Sequence, residues 1–457
     1  MKIIIGFPPL LNHKGTPLLS QNRQFQWFKT PSFIYPVIPA SAATLLAAHG
    51  HQVVWLDGIA AKWSYQYWFN QVKAVHADLL FIETKTPVIK QHWQIIKQLK
   101  KSLPKMKICL AGDHVTALPG ETKKNCPVDY ILHGGHYDLA LLKVLQGLNP
   151  CKIPLIDRRL TKWQLYAYKN GNFKYTPGTY TMAGRDCWWR QHGGCTFCSW
   201  TTLFPQFSVR TPKSLLDEIG QLIKLGVKEV FDDTGTFMAG TWLTQFCQGM
   251  IQRGYHRQIT LGCNLRFGVL KLKDYQLMAQ ANFRLLLFGL ESANQTTLNR
   301  LNKGIKINQV ETELITIKQA GGQLEPHVTC MVGYPWETLQ QAQKTIAFTK
   351  KLFSQNLISS LQATIVIPYP GTKLFAQAQK NHWLKTLDWD KYDMSQPILK
   401  SPIPDKSLKQ LTRSIYLTAL TPKFILRKIL SIHSLNDFKF FIKSGFRFFG
   451  QLLDFSS

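Results

Sequence analysis

The chain has 457 residues, 45% of them hydrophobic, with 55 Lys and Arg against 26 Asp and Glu, a formal net charge of +29. This is enough apolar material for two or three domain cores. A charge of that size attracts nucleic acid, phospholipid headgroups and nucleotide cofactors alike, but the excess is dispersed, which excludes a basic nucleic-acid arm and disfavours nucleic acid as partner. The apolar run at Met1–Pro9 is too short for a signal peptide and no stretch offers about 18 unbroken apolar residues, so the expected address is cytoplasmic.

From residue 1 to 148, short apolar runs alternate with helix-like segments. Strands are expected at Lys2–Gly6, Gln52–Leu56, Asp78–Ile82, Lys107–Ala111 and Tyr130–Leu132, with helices at Ala40–His49 and His92–Lys101. Unbroken apolar strands alternating with helices imply a parallel sheet covered on both faces. Ligands on such sheets sit beyond the carboxyl ends of the strands, which here carry Thr84-Lys85-Thr86, Gly112-Asp113-His114 and Gly134-Gly135-His136. The long connection from Phe7 to Tyr35 is expected to pack its aromatics over something.

Residues 149–179 read as a linker with an Asn170-Gly171 turn. The next span, 180–400, repeats strand and helix. A strand near Tyr180–Ala183 is followed by others near Glu229–Phe231, Thr260–Cys263, Leu285–Gly289, His327–Val332 and Leu361–Ile367. Six such units predict a partial (β/α)6 barrel, with chemistry at the carboxyl ends of its strands. Residues 401–457 carry nine Lys and Arg against three Asp and Glu, interleaved with phenylalanines. That pattern predicts basic amphipathic helices, starting at Thr421-Pro422, that either lie on a membrane surface or close the barrel.

The densest chemistry lies between the linker and the second barrel strand. Cys187, Cys195 and Cys198 are spaced C-x7-C-x2-C within twelve residues, whereas the other six cysteines are scattered. Clustered thiolates in a chain without a leader indicate a soft-metal site rather than a disulfide framework. Zinc would take four ligands, with His192 completing the set. An iron–sulfur cluster held by three cysteines would leave one iron open to a substrate.

The Cys-Thr-Phe-Cys ending and the strand-and-helix repeat after it resemble the radical S-adenosylmethionine (radical SAM) superfamily. Many members have three residues between the first two cysteines; this chain has seven. The resemblance implies a 4Fe–4S cluster on Cys187, Cys195 and Cys198, with SAM on the open iron. Its SAM contacts would be Phe197, Asp232 and Asp233, Arg266, Glu291 and Ser292, and the turn holding Gly333 and Pro335. The N-terminal sheet similarly resembles the Rossmann-like, flavodoxin-like cobalamin domain that precedes many radical SAM barrels. Thr84, Thr86, Ala111, Gly112, His114, Gly134 and Gly135 would then line the cobalamin. The Asp-x-His-x-x-Gly signature that supplies a cobalt ligand in many cobalamin proteins is absent, leaving the lower ligand unassigned.

The resemblance implies reductive SAM cleavage to a 5′-deoxyadenosyl radical and methylation of an unactivated carbon in a small-molecule or lipid-like substrate. An external one-electron reductant would be needed, and the basic aromatic tail would make any peripheral membrane contact. Two alternatives stay open: a radical SAM enzyme modifying or methylthiolating RNA, and a non-catalytic zinc-stabilised binding protein.

Overall fold

The computed structural model describes residues 1–11, 14–19, 25–150 and 153–417, with a few scattered residues beyond 417. Five strands form the N-terminal sheet: β1 (Lys2–Phe7), β2 (Gln52–Asp57), β3 (Leu79–Thr84), β4 (Lys107–Gly112) and β5 (Tyr130–Leu132). All are parallel, in the order β2-β1-β3-β4-β5. This is the flavodoxin-like order, whose switch point falls between β1 and β3. Ile3 to Ile5, Leu79 to Ile82 and Ile108 to Ala111 are fully buried. A strand covered on both faces has no solvent side to alternate with, hence the unbroken apolar runs.

Six parallel strands make the second sheet: β6 (Gly178–Thr181), β7 (Glu229–Asp232), β8 (Thr260–Leu265), β9 (Phe283–Glu291), β10 (Glu325–Val332) and β11 (Ser360–Ile365). Neighbours in sequence are neighbours in space from β6 to β11. Each strand is one step of an open (β/α)6 barrel. Its register shifts between Gly289 and Glu291, where the ladder to β10 slips before β9 ends. The first strand starts at Gly178, two residues inside the expected linker.

The long connection after β1 forms a small antiparallel pair, Thr16–Pro17 with Trp27–Phe28, and buries Phe25, Trp27 and Phe33. In the linker, the Asn170-Gly171 turn carries no flanking strands. Asn170 instead donates to the Phe33 carbonyl at 2.6 Å and to Tyr180 Oη at 2.9 Å. The linker also supplies Arg158, which donates to Glu218 at 2.6 Å and to the Tyr180 carbonyl at 2.9 Å. Burial would raise the Glu218 pKa, but Arg210 and Arg158 hold it down at about 2.

Past the barrel, helix Asp405–Leu417 packs Leu408, Ile415 and Tyr416 against Cys330, Val332 and Ala363, covering β10 and β11. The helices expected after Thr421 lie, apart from isolated residues, outside the described residues.

The two sheets meet through their carboxyl ends. Arg185, just after β6, donates to both carboxylate oxygens of Asp138 in the N-terminal unit, at 2.7 and 2.6 Å. Tyr166 donates to Asp57, the last residue of β2, at 2.5 Å. Lys85, after β3, is buried beside Asp113, Glu83 and the barrel residue Asp233.

Candidate cluster and cofactor site

The cysteine loop begins with a buried carboxylate. Asp186 takes a φ of +74° and is fully buried, and its side chain pairs with Arg190 one turn on. The Arg190 guanidinium also donates to the Thr201 carbonyl, so it straps the start of the loop to the segment after its end. Gly235, after β7, donates its N–H to the Asp186 carbonyl at 3.1 Å. A Cβ on Gly235 would stand 2.7 Å from the Cys187 Cβ, a close approach that only glycine permits there. The Cys187 sulfur lies 3.1 Å from the Thr236 hydroxyl.

The seven residues between the first two cysteines are ordered. Trp188–His192 form a 3₁₀ turn, closed by Gly193 and Gly194 with φ of +86° and +66°. Asn302 holds this turn from the other side, donating through Nδ2 to the His192 and Gly194 carbonyls at 2.7 and 2.8 Å. Trp189 Nε1 donates to the Asn302 carbonyl at 2.7 Å, and Lys373 Nζ to the Gly193 carbonyl at 3.1 Å. The Cys195–Cys198 turn is fixed by Thr196, which donates its N–H to Leu301 and accepts from Leu374 N. All three cysteines are unbridged and half-buried. His192 is stacked on the Trp189 ring at 4.5 Å between centroids. Among the described residues, no three His, Cys, Asp or Glu side chains converge closely enough for a single metal ion.

Around Cys195 the structure gathers several of the expected SAM contacts. Arg266 is buried, its guanidinium carbon 3.6 Å from the Trp189 ring centroid, and its Nη2 has no hydrogen-bond partner. Burial pushes the Cys195 thiol up, while Lys303 and Arg266 pull it back towards the thiolate. Glu291, at the end of β9, has a φ of +68° and accepts from Lys303 Nζ at 2.8 Å. A Cβ on Gly289 would sit 2.3 Å from the Glu291 carboxylate and 2.7 Å from Lys303 Nζ, so glycine makes room for the pair. Lys303 Nζ lies 5.8 Å from the Phe197 ring centroid. The Gly333-Tyr334-Pro335 turn arrives from β10, with Gly333 at φ +94° donating to Glu337 at 3.3 Å. Burial raises the Glu337 carboxyl to about 7, and Oε1 is unpartnered, as is the Tyr334 hydroxyl.

Other expected contacts are engaged elsewhere. The Asp232 carboxylate accepts from Ala183 N at 2.7 Å and Thr234 N at 3.1 Å, joining β7 to the start of the cysteine loop. Burial lifts its pKa to about 7. Asn264 lies 3.3 Å from Asp233. Ser292 is bound to Asn294 and lies 3.3 Å from Thr345, facing helix Leu339–Ser354.

On the N-terminal sheet, Gly112 has a φ of +134°, and a Cβ there would stand 2.0 Å from the Thr84 carbonyl oxygen. Ala111 is wholly buried. Thr84 Oγ1 is 2.6 Å from His92 Nδ1, whereas Thr86 Oγ1 and Glu83 Oε2 are buried without partners. His114 is boxed edge-on by Trp93 and Trp389, with Nε2 3.4 Å from Glu121, and burial lowers its pKa to about 3. Gly134 and Gly135 lie against the segment following the cysteines: Gly135 N donates to the Leu203 carbonyl at 2.7 Å, and a Cβ on it would meet the Phe204 ring. These two glycines therefore dock the domains together.

Sequence reasoning missed Trp189, Asn302 and Lys303. Asn302-Lys303-Gly304 has the look of an ordinary helix C-terminus after Gln295–Arg300. Asn302's loop partners lie over a hundred residues away, and Lys303 meets Glu291 across the end of β9, beyond any local signal.

The sequence profile of the Radical SAM superfamily matches residues 184–349. An uncharacterized methyltransferase of Pyrococcus horikoshii is 26% identical over 428 residues, covering 87% of this chain and 89% of its own. The anaerobic magnesium-protoporphyrin IX monomethyl ester cyclase of Rubrivivax gelatinosus is 22% identical over 406 residues, 81% of this chain and 71% of its own. Among solved structures, the cobalamin-dependent S-adenosylmethionine radical enzyme OxsB, with aqua-cobalamin and S-adenosylmethionine bound, superposes with a TM-score of 0.68 at 12% identity, over 99% of this chain and 72% of its own. The radical S-adenosylmethionine methyltransferase TsrM of Kitasatospora setae, with cobalamin and a 4Fe–4S cluster bound, gives 0.63 at 14% identity, over 84% and 79%. The shared fold spans both sheets, and the profile covers the cysteine loop and the barrel strands β7 to β10: the chain is an enzyme that carries a radical SAM domain over residues 184–349.

Proposed function

We propose that the chain is a cobalamin-dependent radical SAM methyltransferase that methylates an unactivated carbon of a small molecule. The observation that carries this reading is the facing of the two sheets: the carboxyl ends of β3 and β4 and the cysteine loop lie on either side of one buried polar junction held by Arg185 and Asp138. Two cofactors on those two ends would be neighbours, as a radical and a methyl donor must be.

The residues fit both groups. Three unbridged thiols flanked by Arg266 and Lys303 suit a three-cysteine iron–sulfur cluster. The unpartnered Arg266 Nη2 is free to meet a carboxylate, and the buried Glu337 Oε1 and Tyr334 hydroxyl await a polar partner. On the N-terminal sheet, Glu83 Oε2 and Thr86 Oγ1 offer the same unmet capacity for the polar edge of a cobalamin. When bound, cluster and SAM supply the radical and cobalamin the methyl group.

The chain's own contribution is positional. Asp186, Gly235 and Thr236 fix Cys187, Asn302 and Lys373 hold the loop, and Glu291 and Lys303 keep a neutral pair beside the thiolates. The polar junction is buried, which excludes water from a reactive radical. Related structures include TsrM with tryptophan as substrate, which supports a small molecule here. The basic, phenylalanine-rich tail favours an amphiphilic one.

The test is anaerobic purification with cobalamin, metal and sulfide analysis, then incubation with methyl-labelled SAM and dithionite. About four irons, four sulfides and one cobalt per chain are expected, with 5′-deoxyadenosine released and label recovered on cobalamin. Iron without cobalt would remove the methyl-transfer reading. Zinc without iron would remove radical chemistry altogether.

A further inference from the structure

The reaction proposed above consumes electrons, and the surface beside the cysteine loop carries the charge to receive their donor. Gln191, His192 and Gly193 are exposed, two to four residues from Cys195. Two other segments flank them. Asn302 and Lys373 both bind this loop, within 3.1 Å of its carbonyls, so residues 299–306 and helix Lys373–Lys380 border the same patch.

The stretches 190–202, 299–306 and 371–380 hold six Lys and Arg and no Asp or Glu. Arg190 and Lys303 are already paired, with Asp186 and Glu291 from neighbouring elements. The remaining four, Arg300, Lys306, Lys373 and Lys380, are exposed, and among the described residues none has a carboxylate partner. Some exposed lysines elsewhere are met, Lys90 by Asp388, Lys213 by Asp217 and Lys351 by Glu311, while others, such as Lys224 and Lys228, have no ion-pair partner among the described residues; what sets this patch apart is its place beside the cysteine loop. Lys380 follows Lys373 by seven residues, two helical turns or about 10 Å along the same side. Arg300 is held over the Trp336 ring at 5.3 Å. The result is a ring of unneutralised cations around the one exposed stretch of the cysteine loop.

We propose that this patch, Arg300, Lys306, Lys373 and Lys380 around Gln191–Gly193, is the docking surface for an acidic one-electron carrier protein. Complementary charge steers such encounters and fixes their register more than it adds affinity. Docking here sets the carrier's redox centre against backbone that leads directly to Cys195. One electron leaves the carrier, which is oxidised, and enters the cluster, which is reduced; no bond is made or broken. The inference rests on the proposed iron–sulfur cluster.

The test uses the anaerobically reconstituted full chain and an acidic plant-type 2Fe–2S ferredoxin, reduced beforehand, with cluster reduction followed by stopped-flow absorbance and electron paramagnetic resonance. The variant is R300E/K306E/K380E, leaving Lys373 to hold the loop. A second triple, K224E/K228E/R257E, makes the same charge change at exposed positions at the opposite end of the barrel. At low ionic strength the first variant should be reduced at least about tenfold more slowly by ferredoxin. The second should match the wild type. Added salt should slow the wild type but not the first variant, and dithionite should reduce all three alike. Equal ferredoxin rates in wild type and first variant, or equal slowing in both variants, overturns the docking surface. A wild type that dithionite cannot reduce overturns the cluster itself, and that arm separates the two failures.

Discussion

Removing Arg185 isolates the strongest link between the two sheets. Asp138 is fully buried and accepts from Arg185 Nη1 at 2.7 Å, Nη2 at 2.6 Å, Ser41 Oγ at 2.6 Å and Leu139 N at 2.9 Å. Arg185→Leu deletes two charge-assisted bonds, each worth about 1.5–3 kcal/mol, and strands the carboxylate. Ser41 and Leu139 still solvate it, so the loss should fall at the low end of the range for a broken buried pair, about 3 kcal/mol. That is roughly a 150-fold shift in the folding equilibrium. In the double variant R185L/D138L no charge is left behind, and stability should return to within about 1 kcal/mol of wild type. Urea unfolding followed by circular dichroism measures all three, with limited proteolysis of the linker as a second readout. The pH dependence has a defined sign. Burial would raise the Asp138 pKa, but Arg185 holds it below the usual carboxylate range. Its contribution is therefore present above about pH 4 and is lost as pH falls below that. In R185L this acid-side dependence should vanish. A single-variant loss under about 1 kcal/mol, or a double variant as unstable as the sum of both singles, would refute the reasoning.

Three further outcomes follow from contacts around the cysteines. Gly235→Ala should drive a methyl group into Cys187, so iron per chain after reconstitution should fall below about half, at a stability cost of about 1–3 kcal/mol; Gly120→Ala, in open space, serves as control. Asn302→Ala leaves two loop carbonyls without donors and should cost about 1–2 kcal/mol, read as a lower midpoint in urea together with slower iron incorporation. Wild-type iron loading in Asn302→Ala would show that the loop holds without it. Glu337 keeps a proton to about pH 7 in the folded chain because it is buried, while the unfolded carboxyl releases it near pH 4.5. Native protein therefore binds more protons across that window and its stability declines as pH rises through it. Glu337→Gln should flatten the cofactor-free decline by on the order of 1–3 kcal/mol between pH 4.5 and 8, and an unchanged slope would show that Glu337 is not the titrating group.

The strands were legible because parallel sheets bury both faces: Leu79 to Ile82 could be nothing else once helices flanked it. Several ends lie beyond the expected ones because Asp57, Thr84, Gly112 and Glu291 read as loop residues, yet each continues its ladder, whereas β6 and β11 stop two residues before the expected Ala183 and Ile367. The polar character that obscured those ends is what gives them chemistry. Glycines were harder to read. Gly112 and Gly235 permit close backbone approaches, whereas Gly134 and Gly135 make room for Leu203 and Phe204 from a distant segment. Sequence shows that a side chain is missing but not what fills the space. Lys303 was invisible for the same reason, since a lysine three residues from an exposed arginine gives no sign of being buried against Glu291.

The unusual C-x7-C spacing illustrates how such a site tolerates variation. Cys187 is positioned by contacts from β7's end, through Gly235 and Thr236, and from its own neighbour Asp186. Cys195 and Cys198 are positioned by Leu301 and Leu374 through the backbone of Thr196. Of the residues between Trp188 and Gly194, Arg190 ties the two sets together, pairing with Asp186 and donating to the Thr201 carbonyl. The intervening length is taken up by a 3₁₀ turn and two left-handed glycines, and Asn302 and Lys373 hold that turn from outside. Apart from Arg190, the loop leaves thiol position to neighbouring elements, and its other residues are free to serve another purpose. They carry the exposed backbone that the unpaired cations surround, so lengthening the loop enlarges the face through which an electron carrier would reach the thiolates without disturbing the thiolates themselves.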